Sequence, residues 1–492
     1  MTNDAIWLIV DVGTSGAKAA LITAAGVLLR TAAQSYETFS AEGGINEQNV
    51  ADWWQAVSAA CQSFGDDVHQ VSAVAVTGQM QDAILIDAEG NPTHPVILYS
   101  DTRAGAEAEA ITARIGADRL LALTGNEQGA DSLWAKLLWL TRHRPHALEQ
   151  AQHILFGAAD AIIFQLTGSA STDTTVASTT GLMDLRERRW LGVDVLAEMG
   201  IGACAGKLPQ LVAGGARVGT VTERAAALLG LSPGIPIYHA PGDAGAATIG
   251  AGSGAIGRAY GYLGTSGWVA FTTDSPGSPL NGVFTLVHPQ PDRYIQIAPL
   301  LTAAGNLDWI KDVFASDSVD ALIVEALARP LTNVLYLPYL NGERTPFRDP
   351  LARAAFIGMG GATERPDLVR AVLEGVAFGY RHALDALLPQ SPDHLILTGG
   401  GTRSAAWCQL FADVLGLEIL IGSEAEHVGV RGALIAAQVG QGDLPGYAPP
   451  NFPPIERTLT PNADQHAQYS AKYAVYRAAY PALKDLFAHL GR

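Results

Sequence analysis

A glycine turn of one composition occurs twice, about half a chain apart: Val10-Asp11-Val12-Gly13-Thr14-Ser15-Gly16 near the start and Gly261-Tyr262-Leu263-Gly264-Thr265-Ser266-Gly267 past the middle. Ile6 to Val10 enters the first turn and Lys18 to Ile22 leaves it; Ala259 to Leu263 enters the second and Trp268 to Phe271 leaves it. Both therefore read as β-hairpins. A Gly-Thr-Ser-Gly tip directs main-chain N–H groups and hydroxyls into the space ahead of it, which suits a phosphate. The same composition is ordinary for a structural turn, so either copy alone supports both readings. The pairing points to a nucleotide clasped in a cleft between two related domains. Only the first copy carries an acidic residue, Asp11, at the end of its incoming strand.

A length of 492 residues suggests roughly three domains on the usual prior, but the duplication favours two, 1–241 and 242–492, with a boundary near Pro241. Hydrophobic residues make up 48% and charged residues 16%, the pattern of a well-packed α/β enzyme and not of a disordered chain. The net charge of −17 leaves no basic face for nucleic acid or an anionic membrane, so a bound nucleotide must be held by local donors and a metal ion. Cys61, Cys204 and Cys408 lie far apart without metal-ligand spacing and read as reduced cytoplasmic thiols. The start, Met1-Thr2-Asn3-Asp4, has no basic segment, and Ala5 to Val10 is too short for a signal core; no apolar run is long enough to cross a bilayer.

Strand-like runs at Val71 to Thr77 and Ile84 to Asp87 alternate with helical patterns at Asp52 to Phe64, Leu133 to Thr141, Pro366 to Leu388 and Ser404 to Leu415. After a Pro-rich stretch, Pro445 to Pro461, the chain ends in a long helix with Tyr469, Tyr473, Tyr476, Tyr480 and Leu483 at helical spacing, which reads as a packing face. That aromatic helix, or the large second domain, could support a homodimer. In His239-Ala240-Pro241-Gly242-Asp243-Ala244-Gly245, a strand from Ile235 ends in a tight turn and Asp243 opens a small-residue helix. Locally, Asp243 reads equally as the cap of that helix or as a carboxylate that takes the proton of an attacking hydroxyl. Its place at a strand end just before the second hairpin favours the latter. Gly399-Gly400-Gly401-Thr402-Arg403-Ser404 follows the strand Leu395 to Thr398 and lets a planar ring lie against main chain; it is neither a Rossmann nor a Walker loop.

The segment Leu337-Pro338-Tyr339-Leu340-Asn341-Gly342-Glu343-Arg344-Thr345-Pro346, followed by Ala354 to Met359 and Asp367 to Glu374, resembles the C-terminal signature of FGGY carbohydrate kinases. The resemblance covers essentially the whole chain and is greatest to the family's xylulokinases. It implies an α/β fold of two ribonuclease-H-like (actin-like ATPase) domains, with ATP in the cleft and the sugar held mainly by the first domain. By similarity, Asp11 and Asp243 hold Mg²⁺ and Asp243 is the general base, while Thr14, Ser15 and Lys18 face the phosphates. Gly264, Thr265 and Ser266 clasp them from the second domain, Gly400, Gly401 and Ser404 border the adenosine, and Gly305 touches ATP. The implied reaction moves the γ-phosphoryl group of ATP to a terminal hydroxyl of a ketose, D-xylulose by resemblance.

The sugar side departs from that pattern. Gly78-Gln79-Met80-Gln81-Asp82 stands where xylulokinases usually read Gly-Gln-Met-His-Gly, so Met80, Gln81 and Asp82 are expected at the sugar with an uncharged amide in place of imidazole. Alternatively, Gln81 merely substitutes for the ring and Asp82 faces solvent. Leu98-Tyr99-Ser100-Asp101-Thr102-Arg103 matches the family at Asp101 and Arg103 but not at Tyr99, Ser100 or Thr102; Gly125-Asn126 and Asp131 are further pocket candidates. These changes leave another ketose, a polyol or an aldonate open as substrate. A non-enzymatic actin-like ATPase would share the hairpins but lack the Gly-Glu-Arg-Thr-Pro segment.

Overall fold

In the first hairpin every residue from Trp7 to Val10 is buried, which a strand shows when both faces of its sheet are covered. The computed structural model describes residues 3–277, 282–388, 392–449 and 453–490, so Met1, Thr2 and part of the Pro-rich stretch fall outside it. The site-forming strands are β1 (Ile6–Val12), β2 (Gly16–Thr23), β3 (Leu28–Ser35), β4 (Val71–Gly78), β5 (Met80–Ile86), β6 (Ala216–Thr220) and β7 (Pro236–His239) in the first half. The second half has β8 (Ala259–Leu263), β9 (Gly267–Thr273), β10 (Phe284–Val287), β11 (Tyr294–Leu300), β12 (His394–Thr398), β13 (Glu418–Gly422) and β14 (Ile455–Leu459). The helices that position the site are α1 (Val50–Gln62), α2 (Ala158–Thr167), α3 (Asp243–Gly250), α4 (Arg365–Leu387), α5 (Ala405–Leu415), α6 (Val428–Gln441) and α7 (Ala463–Leu490).

The first sheet runs β6-β7-β4-β1-β2-β3 and the second β10-β11-β9-β8-β12-β13-β14. In each, three strands form an antiparallel meander (β1-β2-β3; β8-β9-β11), and two further strands add in parallel on the free edge of the first (β4 and β7; β12 and β13). This is the ribonuclease-H-like arrangement, present twice.

Alternation along β1 decides what covers each face. Leu8, Val10 and Val12 pack on α1 and α2, whereas Trp7 and Ile9 pack on Val430, Ala433, Leu434 and Ala437 of α6, a helix from the second half of the chain. Reciprocally, α3, which follows β7 of the first sheet, lays Ala244, Ala247 and Ala251 on Tyr260, Ala270 and Ile396 of the second sheet. The two exchanged helices meet at glycine. A Cβ on Gly250 would lie 1.8 Å from the Val428 carbonyl oxygen, and one on Gly432 would lie 1.8 Å from that of Ala246. The other face of the second sheet is covered by α4, α5 and α7. Tyr469, Tyr473, Tyr476 and Tyr480 of α7 are buried in that layer, with Tyr473 bonded to Asp385 (2.7 Å) and Tyr476 to Tyr339 (2.9 Å). The tyrosine stripe is thus spent within its own lobe.

Among the described residues no helix is long and apolar enough to cross a membrane. The three cysteines are buried and unpaired. Gly432→Ala should lower stability by about 1–3 kcal/mol through overpacking at the helix crossing, read from the midpoint of urea unfolding.

Candidate functional site

Both hairpin tips open onto one cleft, whose central cavity of about 200 Å³ is lined by Asp11, Thr14, Ser15 and Lys18 from the first sheet and Thr265, Ser266 and Trp268 from the second. The tips are held from behind through their carbonyl groups. Tyr36 donates to the Gly13 carbonyl, the Gln48 amide donates to that of Thr14 (2.7 Å), and Ala303 and Gly305 donate N–H groups to that of Thr265 (2.8 and 3.1 Å). The N–H groups of Thr14, Ser15, Thr265 and Ser266 make no hydrogen bond among the described residues. They are left as donors toward an anion. Val428 and Gly429, at the N-terminal turn of α6, line the same cavity and add the positive end of a helix dipole.

Asp11 and Lys18 are register partners across the first hairpin, so both side chains project from the same face into the cleft. Asp243 meets them from the second side as the first residue of α3; Gly242 is the cap, so the cap reading of Asp243 does not hold. One Asp243 oxygen accepts the Ala244 N–H (2.7 Å). The turn below is fixed by Thr77, which donates to the Pro241 carbonyl (2.7 Å), and by buried Asp173, which accepts the Gly242 N–H (3.2 Å). His239 bridges to Asp160 (2.9 Å) in the same buried layer. Burial, then the negative charge of Asp11, pushes the Asp243 carboxyl up to about 7. Burial raises Asp11 as well, against the pull of Lys18. Two carboxylates that disfavour each other's charge form a donor set that fits a divalent cation.

A second cavity of about 180 Å³ shares Thr14, Asp243, Ser266 and Trp268 with the first and continues to Gln79, Met80, Gln81, Tyr99 and Arg344. Gln81 has φ +69°, a left-handed conformation uncommon outside glycine. The cause is a register shift in β5 between Met80 and Ile84 against the neighbouring strand, a bulge that re-aims the side chain. Met80 lies against the glycine that precedes Asp243: a Cβ on Gly242 would sit 2.2 Å from its sulfur. Asp82 does not face solvent. It is fully buried, one oxygen accepting the Tyr99 N–H (3.0 Å) and the other without a hydrogen-bond partner among the described residues. Asp101 and Arg103 engage each other (2.6 Å), Asp101 also accepts the Asn46 N–H (2.7 Å), and Arg103 reaches Glu47 (2.8 Å). Asn126 clamps the lobes together by pairing with the main chain of Thr285 (2.7 and 2.9 Å).

On the opposite side the cleft continues into a cavity of about 270 Å³ lined by Lys18, Tyr262, Gly400 and Arg403. A Cβ at Gly400 would meet nothing, so this glycine faces open space, whereas Gly401 is pressed on Leu263, with a Cβ 2.5 Å from its side chain. The Ser404 hydroxyl caps α5 by accepting the Trp407 N–H. Gly264 and Gly305 lie within the second tip and its support, the latter under Thr265. Sequence reading missed the aromatic pair Tyr262 and Trp268, stacked at 4.2 Å along the cleft wall. They are register partners flanking the second tip, a signal present in the hairpin itself.

Two ribonuclease-H-like lobes with exchanged helices and a hairpin from each on one cleft define an actin-like ATPase fold. The comparisons narrow this. The N-terminal domain of the FGGY family of carbohydrate kinases matches residues 6–250, and the C-terminal domain of that family matches residues 259–440. The chain belongs to the FGGY family of carbohydrate kinases and is an ATP-dependent sugar kinase. A xylulose kinase of Escherichia coli is 30% identical over 491 residues, spanning 97% of this chain and 99% of that relative. A solved structure described as a "xyloylose kinase" from Brucella ovis is 30% identical with a TM-score of 0.86, covering 98% of this chain and 100% of its own. The gluconate kinase of Lactobacillus acidophilus, at 23% identity and TM-score 0.88 over 99% of this chain and 100% of its own, shares the fold alone.

The raised Asp243 pKa has a stability consequence. With a folded pKa of about 7 against an unpaired 3.8, the charged carboxylate penalises the folded state above pH 3.8, fully so above about 7. Asp243→Asn should therefore raise the thermal midpoint of the ligand-free protein at pH 8, with the gain shrinking as pH falls toward 5. A lower midpoint for the variant at pH 8 would contradict this.

Proposed function

We propose that the chain transfers the γ-phosphoryl group of ATP to a terminal hydroxyl of D-xylulose, giving D-xylulose 5-phosphate and ADP. The observation that carries the reading is Asp243, which lines both the cavity between the hairpin tips and the cavity of Met80 and Gln81. A sugar hydroxyl in the second cavity and a phosphate in the first would meet at this carboxylate. In this reading residues 1–241 hold the sugar and present the first tip, and residues 242–492 hold the nucleotide.

Asp243 accepts the proton of the attacking hydroxyl, and a carboxyl poised at about 7 is matched to that task near neutral pH. The free amides of Thr14, Ser15, Thr265 and Ser266, with Lys18, face the charge that develops on the transferred group. Asp11 and Asp243 would hold Mg²⁺, which when bound would offset the charge of the phosphates and of the two carboxylates. Gly264 and Gly305 shape the second tip around the phosphates. Gly400 borders the adenosine directly, with Gly401 and Ser404 fixing the loop around it. Met80 and Gln81 touch the sugar. Asp82, Asp101 and Arg103 act on it through the Tyr99 loop that they brace. Three unpaired buried thiols and the use of ATP fit action in the cytoplasm.

One observation favours a second reading. Gln81, an amide at a strained backbone position on the cavity wall, would suit a related ketose or polyol as well. ADP release with D-xylulose should be measured against a panel of pentuloses, hexuloses, polyols and aldonates. Selective turnover of D-xylulose supports the proposal; turnover of a different sugar alone replaces the substrate and keeps the chemistry. Asp243→Ala should lower kcat by about 10²–10⁴ while the ADP dissociation constant stays within about threefold. Near-normal turnover in that variant would remove Asp243 from the mechanism.

A further inference from the structure

Arg344 is the basic side chain among those lining the sugar-side cavity, where Gln79, Gln81, Tyr99 and Thr179 are uncharged and Asp243 is the acidic one. A free guanidinium there would recruit a carboxylate, since the planar fork of arginine pairs with carboxylates at two points. It is not free. Arg344 belongs to the second lobe, and across the cleft Asp131 of the first lobe accepts from it at 2.9 Å. The other Asp131 oxygen accepts from Arg348, so both carboxylate oxygens are engaged. The pair is well shielded, with side-chain exposures of 6% for Asp131 and 16% for Arg344.

We propose that Asp131 makes this cavity select uncharged sugars over sugar acids, by occupying the cation that would otherwise bind an aldonate carboxylate. This rests on reading the cavity as the sugar site. An aldonate placed at Arg344 would bring a second carboxylate up to Asp131 in a shielded setting, where like charges repel more strongly than in water. A ketose or polyol meets no such cost, because its hydroxyls need only donors and acceptors of the kind Gln81 and Tyr99 carry. Specificity here comes from a repulsive element as much as from an attractive one. The same ion pair joins the two lobes beside the sugar-side cavity.

The test compares kcat/KM for D-xylulose with that for D-xylonate and D-gluconate at saturating Mg-ATP. In Asp131→Asn the aldonate-to-ketose ratio should rise at least about tenfold, and adding Arg344→Gln to that variant should remove the gain. Arg348→Met leaves the Asp131–Arg344 pair in place and should leave the ratio within about twofold. An unchanged ratio in folded Asp131→Asn overturns the proposal, as does a gain that survives Arg344→Gln. Should Asp131→Asn fail to fold, inhibition of the unmodified protein decides. Aldonates should then inhibit ketose turnover only at concentrations at least about tenfold above the ketose KM, and inhibition at or below that KM overturns the proposal. Lack of D-xylulose turnover with turnover of another neutral sugar defeats only the substrate assignment, and the comparison is then made with that sugar.

Discussion

The close crossing of the two exchanged helices is the contact on which the site depends. α3 leaves the first sheet to cover the second, α6 leaves the second to cover the first, and their glycines bring Gly250 onto Val428 and Gly432 onto Ala246. No side chain fits between them. Because each helix begins at the cleft, the crossing also fixes two helix N-termini there: Asp243 opens α3, and Gly429 stands in the first turn of α6 beside Asp11, whose oxygen lies 3.2 Å from a Cβ built on that glycine. Packing at the centre of the molecule thus sets how Asp11, Asp243 and the α6 N-terminus face one another.

That geometry concentrates like charge. Asp11 and Asp243 face one cavity, partly out of water, and each carboxyl is held above its ordinary value. In isolation this is a destabilising arrangement, tolerated because the buried Thr77, Asp173 and His239 layer holds the turn in place. A bound cation would offset the two carboxylates, and the tip amides and the α6 N-terminus supply positive potential for an anion beside them. The end of the cleft at Met80 and Gln81 uses a different device. There Arg344 is already paired across the lobes with Asp131, and apart from Asp243 the polar groups left to face the cavity are uncharged.

What the sequence disclosed follows from how local each feature is. The hairpins, the Asp243 turn and the tyrosine face of the last helix are written in contiguous residues, and their strands and helices appear within a few residues of where alternation and periodicity place them. Asp82 is where local reading faltered. An acidic residue in a loop-like motif suggests either a ligand or solvent, yet it is buried against the Tyr99 main chain. The Gln81 bulge was hidden because register depends on the partner strand. Asp131 with Arg344 is separated by 213 positions, and the Asn126 clamp on Thr285 by 159, so neither pairing has a trace in local pattern. Tyr262 and Trp268 were within reach, since residues flanking a hairpin tip pair across it.

The central claim is that this cleft delivers the phosphoryl group to a sugar hydroxyl and not to water. The direct measurement is product analysis after incubation with Mg-ATP and D-xylulose, counting ADP, phosphorylated sugar and free inorganic phosphate by ³¹P NMR and mass spectrometry. The account predicts ADP and sugar phosphate in equal amounts, with little free phosphate. ADP matched by free phosphate, with no phosphorylated sugar from D-xylulose or from any other sugar supplied, would contradict it.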